Sequence, residues 1–229
     1  MKYLFVLSLI PLFASISMTD VPTTTKAKLI YVGDPMCSWC YGFSPELTKA
    51  LQSLEDQVDL ELIMGGLRPY NTQTMKDLGD FLKEHWQEVS HRSGQPFQYE
   101  ILKDHHFVYD TEPACRAVRV ARALAPNKEL AFFKAIQDAF YAQNQNTNQI
   151  DTYLAIAQKL DIDQEKFQKA FSSEEMKVAV RRDFERAAEM GIRGFPSMVL
   201  QKGEKLFLIA NGYRTAEQII EAVEQRLEK

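Results

Sequence analysis

Two thiols three residues apart carry the clearest chemistry in this 229-residue chain: Cys37-Ser38-Trp39-Cys40, directly after the apolar run Leu29-Ile30-Tyr31-Val32. Residues i and i+3 of a helix share one face, which brings their Cα atoms within the roughly 4.4–6.8 Å that an unstrained disulfide spans. Such a pair can close and open without large backbone motion. The spacing places Cys37 at a helix start, where unpaired N–H groups and the positive end of the dipole favour a thiolate, the form that attacks disulfides. A CxxC can also be half of a metal site. With no second CxxC in the chain and the histidines confined to its middle, we expect no metal and no cofactor.

A second motif lies far along the chain. In Gly191-Ile192-Arg193-Gly194-Phe195-Pro196-Ser197-Met198-Val199-Leu200, a glycine suited to ending a helix leads through a Gly-aromatic-Pro turn into a short apolar strand. Pro45, eight residues after Cys37, falls where it would kink the helix that starts at the thiols.

The elements that must position these residues follow from hydrophobic period. Lys28 to Val32 and Val58 to Met64 read as strands, with a helix from Ser38 to Leu54 between them. From Thr72 to about Met190 the pattern is helical, beginning with Met75, Leu78, Leu82, Trp86 and Val89. Further helices are predicted over residues 112–124, 128–141, 152–160 and 164–171. A capping box of Ser172 and Glu175 would start another that ends near Gly191. Residues 197–201 and 206–210 then read as a hairpin, and Thr215 with Gln218 caps a last helix.

This order resembles the DsbA family of thiol-disulfide oxidoreductases, and within it the FrnE-like predicted disulfide isomerases, whose Asp-Pro-x-Cys-x-Trp-Cys pattern is matched by residues 34–40. The resemblance implies an α/β, thioredoxin-like fold interrupted by a large all-helical insertion. Its thioredoxin-like domain would be discontinuous (26–70 and 174–229), with the insertion at 71–173. It further implies that Cys37 is the exposed nucleophile, Cys40 the buried partner that resolves the mixed disulfide, and Pro196 the cis-proline. On the same grounds Phe195 would present its backbone to an extended substrate peptide. Trp39 would either shield the disulfide or offer apolar contact to unfolded substrates.

Two departures from the family stand out. Tyr31 occupies the position, six residues before the first cysteine, where relatives carry a buried carboxylate. Asp34 is then the nearest acid in sequence, and capping of the helix turn is favoured over proton relay as its role. Phe195 is bulkier than the residues often found before the cis-proline, and either narrows the substrate groove or packs in it. Ser38 offers a further hydrogen bond near the thiols.

Other residues invite plainer readings. Cys115, among small and apolar residues on a helix, reads as a buried core thiol. Adjacent histidines such as His105-His106 do not face one another on a helix and so would not share a metal. Gly65-Gly66-Leu67-Arg68-Pro69 reads as a turn needing positive φ that could come near the active site.

The expected activity is to form, reduce or isomerise disulfides in substrate proteins, with unfolded or disulfide-containing proteins and a redox partner as the interacting molecules. A net charge of −4 without a basic run argues against nucleic acid as a partner. Residues 1–17 have the shape of a secretory signal: a lysine, an apolar segment too short to span a membrane, then small and polar residues. This predicts a periplasmic or secreted protein without stable membrane insertion, and a cytoplasmic one if Met18 is the true start. Rival functions are a glutathione-dependent transferase or isomerase on the same fold, and a non-enzymatic peptide-binding chaperone module.

Overall fold

A computed structural model describes residues 26–228. The signal-like segment over residues 1–17 and the alternative start at Met18 therefore lie outside the described residues.

The chain opens with a βαβ unit: β1 (Ala27–Gly33), α1 (Ser38–Ser53) and β2 (Val58–Met64). It closes with the hairpin β3 (Ser197–Lys202) and β4 (Lys205–Asn211), followed by α8 (Ala216–Leu227). Between them run α2 (Met75–Ser93), α3 (Glu112–Leu124), α4 (Glu129–Gln137), α5 (Ile150–Lys159), α6 (Gln164–Phe171) and α7 (Glu174–Glu189). The strands form one sheet in the order β2-β1-β3-β4, with β1 parallel to β2 and antiparallel to β3. A central strand covered on both faces must be apolar throughout, and Leu29 to Val32 of β1 are all buried. Leu29 and Tyr31 face the core shared with α1, α8 and the helical segment, whereas Ile30 and Val32 pack with Ile63, Val199 and Ala187 of α7.

Local chemistry accounts for most element boundaries. Thr215 and Gln218 form the expected capping box at α8. Pro45 sits inside α1 and cannot donate to the carbonyl of Tyr41; Gln95 Nε2 takes up that carbonyl instead, at 3.3 Å. The predicted cap at Ser172 is displaced by one residue. Ser173 caps α7, accepting from Met176 N at 3.3 Å, because Ser172 is already used as the C-cap of α6. The predicted helix over 128–141 is α-helical only to Gln137 and then widens into a π turn over Asp138–Ala142, an irregularity that periodicity does not reveal. His105 and His106 lie in a turn after a short 3₁₀ segment, Glu100–Lys103, rather than on a helix.

A charged knot ties the helical segment to the sheet. Asp183 of α7 accepts from Met64 N at 3.1 Å and pairs with Arg122 at 3.4 Å and Arg119 at 3.7 Å, both on α3. Arg122 also bonds the Leu62 carbonyl and Glu129. Removing one member of a mostly buried cluster leaves the others uncompensated, at a cost of about 3–5 kcal/mol. Asp183→Ala should therefore lower the stability measured by urea denaturation by about 3 kcal/mol. A loss within the roughly 0.5 kcal/mol typical of surface substitutions would show that the knot does not hold the two parts together.

Candidate active site

The site is built where three chain turns meet at one end of the sheet: the exit of β1, the exit of β2 and the entry to β3. Asp34 organises the first. Its Oδ1 accepts from Met36 N at 2.8 Å, its backbone carbonyl accepts from Cys37 N at 3.0 Å, and its Oδ2 accepts from Leu67 N at 2.6 Å in the β2 exit. The side chain thus shapes the turn ahead of α1 and joins it to the second loop. It does not cap α1, because the N-cap is Cys37 and no side chain bonds the free N–H groups there. This corrects the expected capping role: the carboxylate is spent on the turn before the helix.

Met36, between Asp34 and the first thiol, is clamped from the helical segment. Its carbonyl accepts from the hydroxyls of Tyr109 and, at 2.6 Å, Tyr141, while Thr147 Oγ1 lies 3.4 Å from its sulfur. Tyr141 belongs to the π turn after α4 and stacks on Tyr41 of α1 at 5.0 Å. Neither tyrosine was identifiable as part of the site from sequence, since each is separated from Met36 by a long stretch of chain and sits in an ordinary apolar pattern.

Cys37, Cys40, Phe195 and Pro196 come together. All three cysteines are free thiols, and the Phe195–Pro196 peptide bond is cis. The Phe195 carbonyl points at Cys37 Sγ across 3.7 Å. Cys37 is less open than expected of an exposed nucleophile, with 4% of its surface accessible, because it lies between this loop and the clamped turn. Cys40 is fully enclosed in α1, and burial followed by the neighbouring Cys37 pushes its thiol well above the ordinary range. The Phe195 ring packs on the β2 exit: a Cβ at Gly65 would stand 2.1 Å from it, so only glycine fits there. Gly66, with φ of 69°, supplies the positive φ expected of that turn.

Ser38 is buried at the first turn of α1. Trp39 is half-buried, in an aromatic row with Tyr213 on one side and His85 on the other, each at 6.0 Å. The row continues to Phe81, stacked on His85 and 60% exposed. Cys115 is fully buried, as expected, but in a specific place: its thiol donates to Asp34 Oδ2 at 3.4 Å. Burial, then the Asp34 charge, push that thiol well up. Burial also raises the Asp34 carboxyl, against the pull of its bonds to Leu67, Thr111, Met36 and Cys115.

Comparison with known proteins agrees with this arrangement. Residues 30–217 match the family model described as Thioredoxin. A provisionally identified protein disulfide isomerase from Nitrosomonas europaea is 35% identical, with 89% of this chain and 98% of that one covered and a TM-score of 0.83. The cytosolic disulfide reductase DsbM from Pseudomonas aeruginosa is 27% identical, with coverage of 88% and 98% and a TM-score of 0.74; its structure with GSH is also similar, at 0.72. Among curated relatives, the ClpXP adapter protein SpxH of Bacillus licheniformis is 25% identical over 82% of this chain, which spans 63% of that protein's length. None of the described helices is long and apolar enough to cross a membrane. From the fold, the convergence of the two thiols with the cis-proline loop, and these matches, the chain belongs to the thioredoxin family, among the DsbA-type disulfide oxidoreductases.

Proposed function

We propose that the protein exchanges disulfides with protein substrates, Cys37 attacking and Cys40 resolving. The observation that carries this reading is the meeting of the thiols with the cis-proline loop: Cys37 Sγ faces the Phe195 carbonyl at 3.7 Å, and Cys40 lies fully enclosed one helical turn on. In one direction the Cys37 thiolate attacks a substrate disulfide, forms a mixed disulfide and releases one substrate thiolate. Cys40 then attacks Cys37 Sγ and releases the second, so the substrate gains two electrons and the enzyme pair becomes a disulfide. The reverse sequence oxidises a dithiol.

An extended substrate would lie along the Phe195 backbone, and the aromatic row from Trp39 to Phe81 supplies adjacent apolar surface of the kind unfolded chains seek. The names of the similar structures favour isomerisation or reduction over dedicated oxidation, with glutathione a suitable electron donor. The signal-like residues 1–17 favour a location outside the cytoplasm, and cell fractionation tests this: recovery of the protein in the cytoplasmic fraction would refute it. The adapters among the relatives support a second reading, a docking module that does not turn over its thiols.

The division of labour is tested by trapping. Cys40→Ala should accumulate mixed disulfides with client proteins on non-reducing gels, and Cys37→Ser should trap none; equal trapping by both refutes the assignment, and no trapping by either favours the docking module.

Direction is tested with a scrambled disulfide protein in glutathione buffer. Recovery of its activity, dependent on Cys37, is expected. Oxidation of reduced substrate without any such recovery would mark a dedicated oxidase.

Cys115 should take no part. A thiol held protonated by burial and by Asp34 is a poor nucleophile, so it should resist alkylation at neutral pH and react only on unfolding. Rapid labelling of Cys115 in the folded protein, followed by mass spectrometry, would bring it into the mechanism.

A further inference from the structure

Cys37 is the N-cap of α1 but makes no side-chain bond there, so the direction of its sulfur is set by the peptide units on either side. Its carbonyl accepts from Tyr41 N at 3.0 Å, as the helix begins. The preceding peptide unit is held at both ends: Cys37 N donates to the Asp34 carbonyl at 3.0 Å, and the Met36 carbonyl accepts from the hydroxyls of Tyr109 and Tyr141. With the backbone fixed on both sides, rotation about Cα–Cβ is the freedom left to Sγ, which in this dithiol state lies 3.7 Å from the Phe195 carbonyl.

Both phenols are aimed by the helical insertion. Tyr109 N donates to the Gln73 carbonyl at 2.9 Å, and the Tyr109 ring stacks on Phe140 at 6.0 Å. Tyr141, next to Phe140 in the π turn, is gripped by Trp86 of α2 at 4.9 Å and Phe97 at 5.1 Å, and its carbonyl accepts from Gln98 N at 2.8 Å. Burial keeps the proton on each hydroxyl, so both remain donors. Two donors occupy both lone pairs of the Met36 carbonyl, one more than satisfying a buried carbonyl requires. The doubled bond falls on the peptide that leads directly into the first thiol.

Resting on the disulfide-exchange reading, we propose that Tyr109 and Tyr141 are positioning residues, which hold the Met36–Cys37 peptide in the plane from which Cys37 Sγ meets a substrate disulfide in line. Displacement at sulfur needs the incoming, attacked and leaving sulfurs aligned, and a misplacement of about 1 Å can cost about a hundredfold in rate. In that step the Cys37 thiolate gives an electron pair to one substrate sulfur and the substrate S–S bond breaks. The other substrate sulfur leaves with the bonding pair and takes up a proton from water. The tyrosines act on this step through the peptide they hold, so the insertion takes part in the reaction as well as in the fold.

The test starts from Cys40→Ala, which with Cys115 buried leaves Cys37 as the reacting thiol, and adds Tyr109→Phe, Tyr141→Phe or both. Two rates are compared at one pH: exchange with a disulfide-bonded peptide, which needs the aligned geometry, and alkylation by iodoacetamide, a small reagent that orients itself on the thiolate. Each single variant keeps one donor and should slow exchange by about two- to threefold. The double variant should slow it by about thirtyfold, more than the product of the two, because it alone leaves the buried carbonyl without a partner. Alkylation should not slow in any of them. Exchange unchanged in all three variants overturns the proposal, as does equal slowing of the two reactions, which would mark a loss of thiolate or of packing instead of alignment. If the double variant does not fold, Tyr141→Phe decides by the same ratio of rates. Absence of exchange in Cys40→Ala with both tyrosines present would refute disulfide exchange itself, and the proposal with it.

Discussion

The carbonyl of Met36 is the point on which the site's geometry turns. It belongs to the residue before the first thiol, and the hydroxyls of Tyr109 and Tyr141 converge on it from the helical segment. A buried carbonyl ahead of a helix must be satisfied by something, and here the insertion supplies both donors. The insertion is consequently more than a lid added to a finished fold. Widening of α4 into the π turn places Tyr141 against both Met36 and Tyr41, so an irregularity in one helix fixes the start of another.

Asp34 extends the same logic to the other side of the turn. With one oxygen on Met36 N and the other on Leu67 N, it couples the β1 exit to the β2 exit, and Gly65 in the latter carries the Phe195 ring. The cis-proline loop is in this way referred back to the same turn that holds Cys37. A buried carboxylate is tolerated because nearly every lone-pair direction is occupied: two backbone N–H groups, Thr111 and the Cys115 thiol surround it. Cys115, legible from sequence only as a core thiol, is better described as part of the shell of Asp34.

What the sequence revealed, and what it hid, divides by the range of the forces involved. The strands, α1, α3, α6 and the cap of α8 were legible because apolar period and Thr215/Gln218 capping act over a few residues. The CxxC and the Gly-aromatic-Pro turn were legible because their chemistry is local. The clamp on Met36, the Asp34–Leu67 bond and the Gly65–Phe195 contact were not, since each joins residues far apart in the chain that share no pattern. The low accessibility of Cys37 belongs with these: it results from three loops closing together, which no single segment encodes. The one-residue error at Ser172 has a different cause, two adjacent serines competing for one cap.

The distribution of charge gives the site its character. The ion pairs of Asp183 with Arg119 and Arg122 and of Glu61 with Arg186 lie along β2, α3 and α7, where they tie α3 to α7 and α7 to the sheet. Around the thiols the polar contacts come from tyrosine hydroxyls, backbone N–H groups and carbonyls, together with the buried Asp34 carboxyl. A fixed charge in a low-dielectric site would bias one redox state strongly, because its field is poorly screened there. Neutral donors respond to charge when it arises and contribute little when it does not. The buried Asp34 is the exception, and burial offsets it by favouring the protonated carboxyl, so that fixed charge beside the two cysteines is reduced.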